Sequence, residues 1–457
     1  MTNFRQSRSS SLHSSKSAVL TKTESTDSNN DEDYPMPEAS DTRPSLIYLH
    51  QFFATPEATV GTRSYEMARR LVRRGFRVHM IASPTGAVPK VKHEIVEGIE
   101  VHWIGVPYRN EMSYARRIVA FVQFSVLASI KSVRLRADIV FATSTPLTIV
   151  IPALVCKWIK RIPMVFEVRD LWPELPIAMG ALKNPMAIRA AHRLERLAYH
   201  QSAHVIGLSP GMCDGIASTG IARSRISEIP NSCDLNRFDV PPHVGKIFRE
   251  ERPWLEDRPL VLYAGTFGRI NDVAWLAELA ASMKKIDPEV RFLAIGDGYD
   301  RDTIADRAAK LDVLNKTFFI ENRIAKRDIP SCFAAATVSC SLFLPVKEME
   351  NNSANKFFDA LAAGKPVLIN YKGWHKELVE NSRIGLAVDH ADPDAAACKL
   401  SELLDSPTEL AETGKRSRKL GITKFSRSML AAELGDALIS TLPKHLRTKL
   451  HLVEEPL

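Results

Sequence analysis

The sequence predicts an α/β protein with two successive doubly wound parallel sheets facing a cleft. Three observations predict it. Short apolar runs alternate with longer stretches of helical period, the alternation halts at Pro241, Pro242, Pro253 and Pro259, and it then restarts. The chain has 457 residues, 45% apolar and 25% charged, enough to bury the cores of two or three domains.

Residues 1–44 are Ser/Thr-rich, turn acidic at Asp31-Glu32-Asp33 and end in Pro35, Pro37 and Pro44. So little apolar area cannot offset the entropy of ordering, and a disordered tail is expected. It has no apolar segment of the kind a secretory signal needs. Leu46-Ile47-Tyr48-Leu49 then reads as a strand and residues 51–61 as a polar loop. Residues 63–74 read as a helix with Tyr65, Met67, Ala68, Leu71 and Val72 on one face, and after Gly75 residues 78–82 read as a second strand, which completes a βαβ unit. Strands follow at 100–106, 137–143, 164–168, 203–208 and 226–230, with helices at 148–159, 186–200 and from Ser209. Past the prolines, strands at 260–265, 291–296, 317–321, 338–343 and 366–370 alternate with helices at 273–286, 300–311 and 357–363. The expected division is a tail (1–44), a first domain (45–238), a second (239–424) and a closing helix with its tail (425–457).

The formal charge of +8 is unevenly spread: residues 1–44 carry −2, residues 45–230 carry +11 and residues 231–457 carry −1. An excess confined to one half suits an anionic partner. Between Tyr108 and Arg161, nine Lys/Arg face two acidic side chains. Six scattered cysteines, with no CxxC, give no zinc spacing and suit a reduced compartment. Apolar residues 118–130 and 147–159 are too short to span a bilayer.

In open α/β sheets ligands bind beyond the carboxyl ends of the strands. The first such loop has one glycine, Gly61, so it is not the dinucleotide fingerprint. Arg169, Asp170 and Glu174 follow the strand at 164–168, and they either bind an acceptor or tie down a loop. Gly265-Thr266-Phe267-Gly268-Arg269 opens a helix and is either a phosphate cradle or a tight turn. The DxD at Asp300-Arg301-Asp302 falls in a first helical turn, where carboxylates favour the dipole without a metal. In Asn351-Asn352-Ser353-Ala354-Asn355-Lys356-Phe357-Phe358-Asp359, polar side chains cap a helix, Lys356 stands by its free amides and Asp359 lies one turn on. Free amides with Lys suit a diphosphate, and a carboxylate suits vicinal hydroxyls; the alternative is an ordinary capped helix.

Residues 46 to about 435 resemble the GT-B glycosyltransferases of family 4, in particular the bacterial O-antigen and exopolysaccharide subgroup typified by L-fucosamine transferases. The resemblance lies in His50-Gln51-Phe52-Phe53, Thr55-Pro56-Glu57, Arg63-Ser64-Tyr65-Glu66, Pro107-Tyr108, the run from Phe166 to Glu174, and Asn355-Lys356-Phe357-Phe358-Asp359. It implies two Rossmann-like domains and a last helix, at 426–442, crossing back to the first. It also implies a nucleotide-sugar donor on the C-terminal domain, an acceptor on the N-terminal one, retention at the anomeric carbon and no metal or other cofactor. Asp359 stands at the second acidic position of the family's E-x7-E motif, whereas Asn351 replaces the first acid. Arg169 replaces a frequent His, and Thr266 a frequent phosphate-binding Arg.

By this resemblance the donor site comprises Gly61, Thr266, Gly268, Arg269, Asn355, Lys356 and Asp359. Arg269 and Lys356 neutralise the leaving diphosphate while Arg169 and Asp170 orient substrate. Arg63 and Glu174 belong to the acceptor side. Residues 118–130, flanked by Arg116, Arg117, Lys131 and Arg134, are expected to lie in a membrane interface. The expected function is sugar transfer from a UDP-type donor to a lipid-diphosphate-linked saccharide at the cytoplasmic membrane face, with no nucleic-acid partner. The competing readings are a nucleotide-sugar epimerase and a catalytically degenerate GT-B scaffold of a polysaccharide assembly complex.

Overall fold

The computed structural model describes residues 43–55, 62–84, 91–108, 112–170 and 172–450. The expected tail, apart from its last two residues, and Gly61 lie outside the described residues. Strand β1 (Ser45–Leu49) is buried throughout, with Leu46 and Tyr48 in the core on one face and Ile47 and Leu49 in the core on the other. This two-sided burial is why a parallel strand reads as a continuous apolar run. The strands β2 (Arg77–Ala82), β3 (Val91–Val96), β4 (Ile99–Ile104), β5 (Ile139–Thr143), β6 (Met164–Val168), β7 (His204–Gly207) and β8 (Ile226–Glu228) complete an eight-stranded sheet. Its order is β3-β4-β2-β1-β5-β6-β7-β8, and the β3–β4 pair alone is antiparallel.

The second sheet holds β9 (Leu260–Ala264), β10 (Arg291–Ile295), β11 (Phe318–Glu321), β12 (Val338–Ser341), β13 (Val367–Ile369) and β14 (Gly385–Ala387), in the order β11-β10-β9-β12-β13-β14. Leu260, Leu262 and Ala264 face one core, Val261 and Tyr263 the other. In each sheet the strand order reverses at the first strand, which puts a switch-point crevice beyond β1 and another beyond β9.

Two chain crossings join the sheets and pair with each other. Cys233 N donates to Phe425 O at 2.7 Å, and Arg427 N donates to Cys233 O at 3.2 Å. Helix Arg427–Thr441 then packs Leu430, Ala431, Leu434 and Leu438 into the first sheet's core beside Met67, Ala68 and Leu71, so the expected return crossing is present. Gly435 makes that approach possible, because a Cβ there would stand 2.2 Å from Arg74 Nη1, which donates to Ala432 O.

Three corrections to the sequence reading follow. The antiparallel β3 is absent from it, because Lys92, His93 and Glu94 interrupt the apolar pattern of a strand at the sheet edge. β14 is too short to stand out. The apolar segment at 118–130 is the middle of a longer helix, Tyr114–Arg134. Among the described residues, no helix is long and apolar enough to cross a membrane.

Candidate active site

A cavity of about 340 Å3 opens between the two sheets. On the second sheet's side it is floored by Gly265 and Thr266 after β9 and by Asn355, Lys356 and Asp359 of helix Asn355–Ala362. Gly265 leaves room for Lys356, since a Cβ would lie 2.2 Å from its Cε and displace the ammonium from its present path. Lys356 threads past it to donate to Asn271 Oδ1 at 3.1 Å, with its Nζ 5.1 Å from the Tyr263 ring centroid. Burial pulls Lys356 down to about 8, with Asp359 opposing the shift. Asp359, one turn further along, is pushed up to about 6 by burial against the pull of Arg427 and Arg237.

Lys326 reaches across to donate to Thr62 Oγ1, and burial, then Arg237 and Arg427, lower it to about 8. Arg427 pairs with Asp234 at 2.9 Å and Arg323 also lines the cavity. Arg237, Arg323, Lys326, Lys356 and Arg427 thus surround two carboxylates, Asp234 and Asp359. A surplus of cations in a concave, partly desolvated site attracts a multiply charged anion such as a diphosphate, while Asp359 can accept from hydroxyls.

Of the residues expected in the donor site, Thr266, Asn355, Lys356 and Asp359 line this cavity. Gly268 and Arg269 do not: the exposed Arg269 guanidinium sits 4.5 Å from the Tyr299 ring centroid, outside the cavity lining. Arg63 lines the cavity, but four of its five donors are engaged within the protein. Nε and Nη2 donate to Glu167 Oε1 at 3.2 and 2.8 Å, and Nη1 and Nη2 donate to Pro230 O and Ile229 O. Buried Glu167 also accepts from Thr143 Oγ1 at 2.6 Å, so Arg63 locks β6 to the interdomain crossing with four of its five donors, one Nη1 proton remaining on the cavity side of that lock.

Arg169 and Asp170 stand at the end of β6, outside the cavity lining. Arg169 Nη1 lies 3.2 Å from His50 Nε2, and Asp170 accepts from Thr145 Oγ1, so that carboxylate anchors its loop. Glu174 faces His192 Nδ1 at 3.7 Å, away from the cavity. Asn351 is also engaged elsewhere: a Cβ on Gly211 would fall 1.9 Å from its Oδ1, and its carbonyl accepts from Ser209 Oγ. The position that holds the family's first acid therefore ties the two sheets together here.

Asn231, Asp234, Arg237, Asn271, Arg323, Lys326 and Arg427 were missed. They lie on the crossings and in loops between short elements, where a single sequence carries no local spacing signal.

Two switch points opening on one cation-rich cavity, with the last helix returned to the first sheet, define the GT-B class. Residues 58–232 match the family model of the glycosyl transferase 4-like domain and residues 246–420 that of the glycosyl transferases group 1. The two matched segments follow one another along the chain, one on each sheet. It is 23% identical over 223 residues to spore coat protein SA of Bacillus subtilis, covering 47% of this chain and 58% of that one. It is 25% identical over 213 residues to the GDP-mannose-dependent alpha-(1-6)-phosphatidylinositol monomannoside mannosyltransferase of Mycobacterium tuberculosis, covering 46% and 54%. These matches span little more than half of either relative. Among solved structures, Anabaena HepE in complex with UDP and glucose superposes with a TM-score of 0.64 at 16% identity, covering 87% of this chain and all of that one, a likeness of fold.

Proposed function

We propose that the protein is a retaining hexosyltransferase that moves a sugar from a UDP-type donor to a lipid-diphosphate-linked saccharide in bacterial surface polysaccharide synthesis. The observation that carries the reading is the juxtaposition of Lys356, Lys326 and Arg237 with Asp359 beside the Gly265-Thr266 turn in one interdomain cavity. In the transfer, the bond from sugar C1 to the diphosphate oxygen breaks as the lysines and arginines stabilise the leaving charge, a role that needs no metal. The acceptor oxygen bonds to C1 from the same face, and its proton passes to the leaving phosphate oxygen. Asp359 holds donor hydroxyls. The UDP and glucose of the HepE complex and the lipid named in the mycobacterial relative's acceptor support the donor and acceptor classes. A screen of nucleotide sugars for UDP release, with Lys356→Ala as control, tests the proposal. Failure of the wild type to bind or consume any nucleotide sugar would favour the scaffold reading.

The same proposal places the protein peripherally on the cytoplasmic face of the membrane. Helix Tyr114–Arg134 buries Ala120, Phe124 and Ala128 but exposes Ile118, Val119, Val122, Val126 and Ile130, each about half accessible. Trp158 and Ile159 extend this patch on the neighbouring helix Val150–Lys160. Arg116 and Arg117 precede the stripe and Lys131 and Arg134 follow it, an arrangement complementary to an anionic bilayer interface.

A further inference from the structure

Three histidines and a glutamate far from the cavity meet at the edge of the first sheet. Glu100 and His102 alternate on β4 and so share a face; His79 of β2 pairs in register with Glu100, and His93 of β3 pairs with His102. His79 Nδ1 lies 3.3 Å from His102 Nε2 and 3.2 Å from Glu100 Oε2, and His93 Nε2 lies 3.9 Å from the same carboxylate oxygen. A tetrahedral ion with bonds of about 2.0–2.1 Å places its ligands about 3.3–3.4 Å apart. The His79–His102 and His93–His102 rings stack with centroids 5.5 and 4.7 Å apart and interplanar angles of 30° and 21°, which gathers the three imidazoles on one face of the sheet edge.

A hydrogen-bonding account fits less well. His79 Nδ1 carries at most one proton yet faces two polar atoms at bonding distance. The surroundings also suit ligation. Arg77 Nε donates to Glu100 Oε1 at 2.6 Å, which orients the carboxylate and leaves Oε2 for an ion.

We propose that His79, His93, Glu100 and His102 bind a first-row divalent metal of the zinc class that staples the edge hairpin β3–β4 to β2. The site is structural and separate from sugar transfer. Its ligands are 14, 7 and 2 residues apart in sequence, so strand pairing and not a local motif assembles them.

The test uses the full chain stripped with chelator and titrated with Zn2+, and with Co2+ as an optical probe of tetrahedral ligation. One equivalent is expected to bind, with a raised unfolding temperature and the visible bands of tetrahedral Co2+. His93 is half exposed, so His93→Ala should fold normally and weaken binding at least tenfold, as should His102→Gln. Lys131→Gln, which removes a neighbouring positive charge, should tighten it. Absence of saturable binding would overturn the proposal. So would binding unaffected by either histidine variant, including binding lost instead in His192→Ala, which would assign the metal to the Glu174–His192–Glu195 group.

Discussion

Replacing Lys356 with methionine should stabilise the ligand-free protein and remove its hold on a nucleoside diphosphate. Burial lowers the ammonium from 10.5 to about 8. Between those values the unfolded chain binds more protons than the folded one, so wild-type stability rises as pH climbs through the window, and below pH 8 the full cost of burying the charge is present. The shift is worth about 3 kcal/mol at ~1.4 kcal/mol per unit. Solvent in the open cavity and loss of the Asn271 hydrogen bond reduce the net gain to about 1–2 kcal/mol, and methionine preserves most of the aliphatic packing. At neutral pH the variant should therefore unfold roughly 1–2 °C above wild type without ligand. UDP at a hundredfold excess over its Kd adds about 2.7 kcal/mol to the wild type and little to the variant, so the order should reverse. Thermal unfolding of both proteins with and without UDP measures the four midpoints. A variant that melts below wild type without ligand, or gains as much from UDP, would refute the account of Lys356.

Three other outcomes are expected. UDP affinity should fall about tenfold for each lysine lost from the diphosphate contact between pH 7 and 9, because Lys356 and Lys326, both lowered to about 8, deprotonate in the free protein; calorimetric titration across that range checks it. Arg63→Ala leaves Glu167 buried without its counter-charge and should cost about 3–5 kcal/mol in denaturant unfolding, with Glu167→Gln in the same chain recovering part of the loss. Changing Arg116, Arg117, Lys131 and Arg134 together to glutamine should weaken sedimentation with anionic liposomes by about a thousandfold, at ~1 kcal/mol per basic residue. Unchanged sedimentation would remove the basic flanks from the membrane contact.

The doubly wound architecture was legible because both faces of β1 and β9 are buried, which leaves unbroken apolar runs between helical stretches. Lys356 and Asp359 were legible because they share one helix with its polar start. The structural role of Arg63 was not legible, because its buried partner Glu167 stands 104 residues away on β6, a distance that spacing cannot bridge. Lys326, Arg237 and Arg427 converge only when the crossing at 231–234 pairs with the return at 425–427. The histidine group likewise depends on register across three strands. Asn351 shows the opposite case: the sequence marked the missing acid, and in the structure its side chain packs against Gly211 while its main-chain carbonyl accepts from Ser209.

The central claim is that the interdomain cavity is a nucleotide-sugar diphosphate site. A structure of the protein with UDP bound tests it most directly. The account predicts the diphosphate beside the Gly265-Thr266 turn, within hydrogen-bond reach of Lys356 Nζ, with Asp359 facing the sugar side. UDP bound elsewhere, or a cavity still empty at saturating nucleotide, would contradict it.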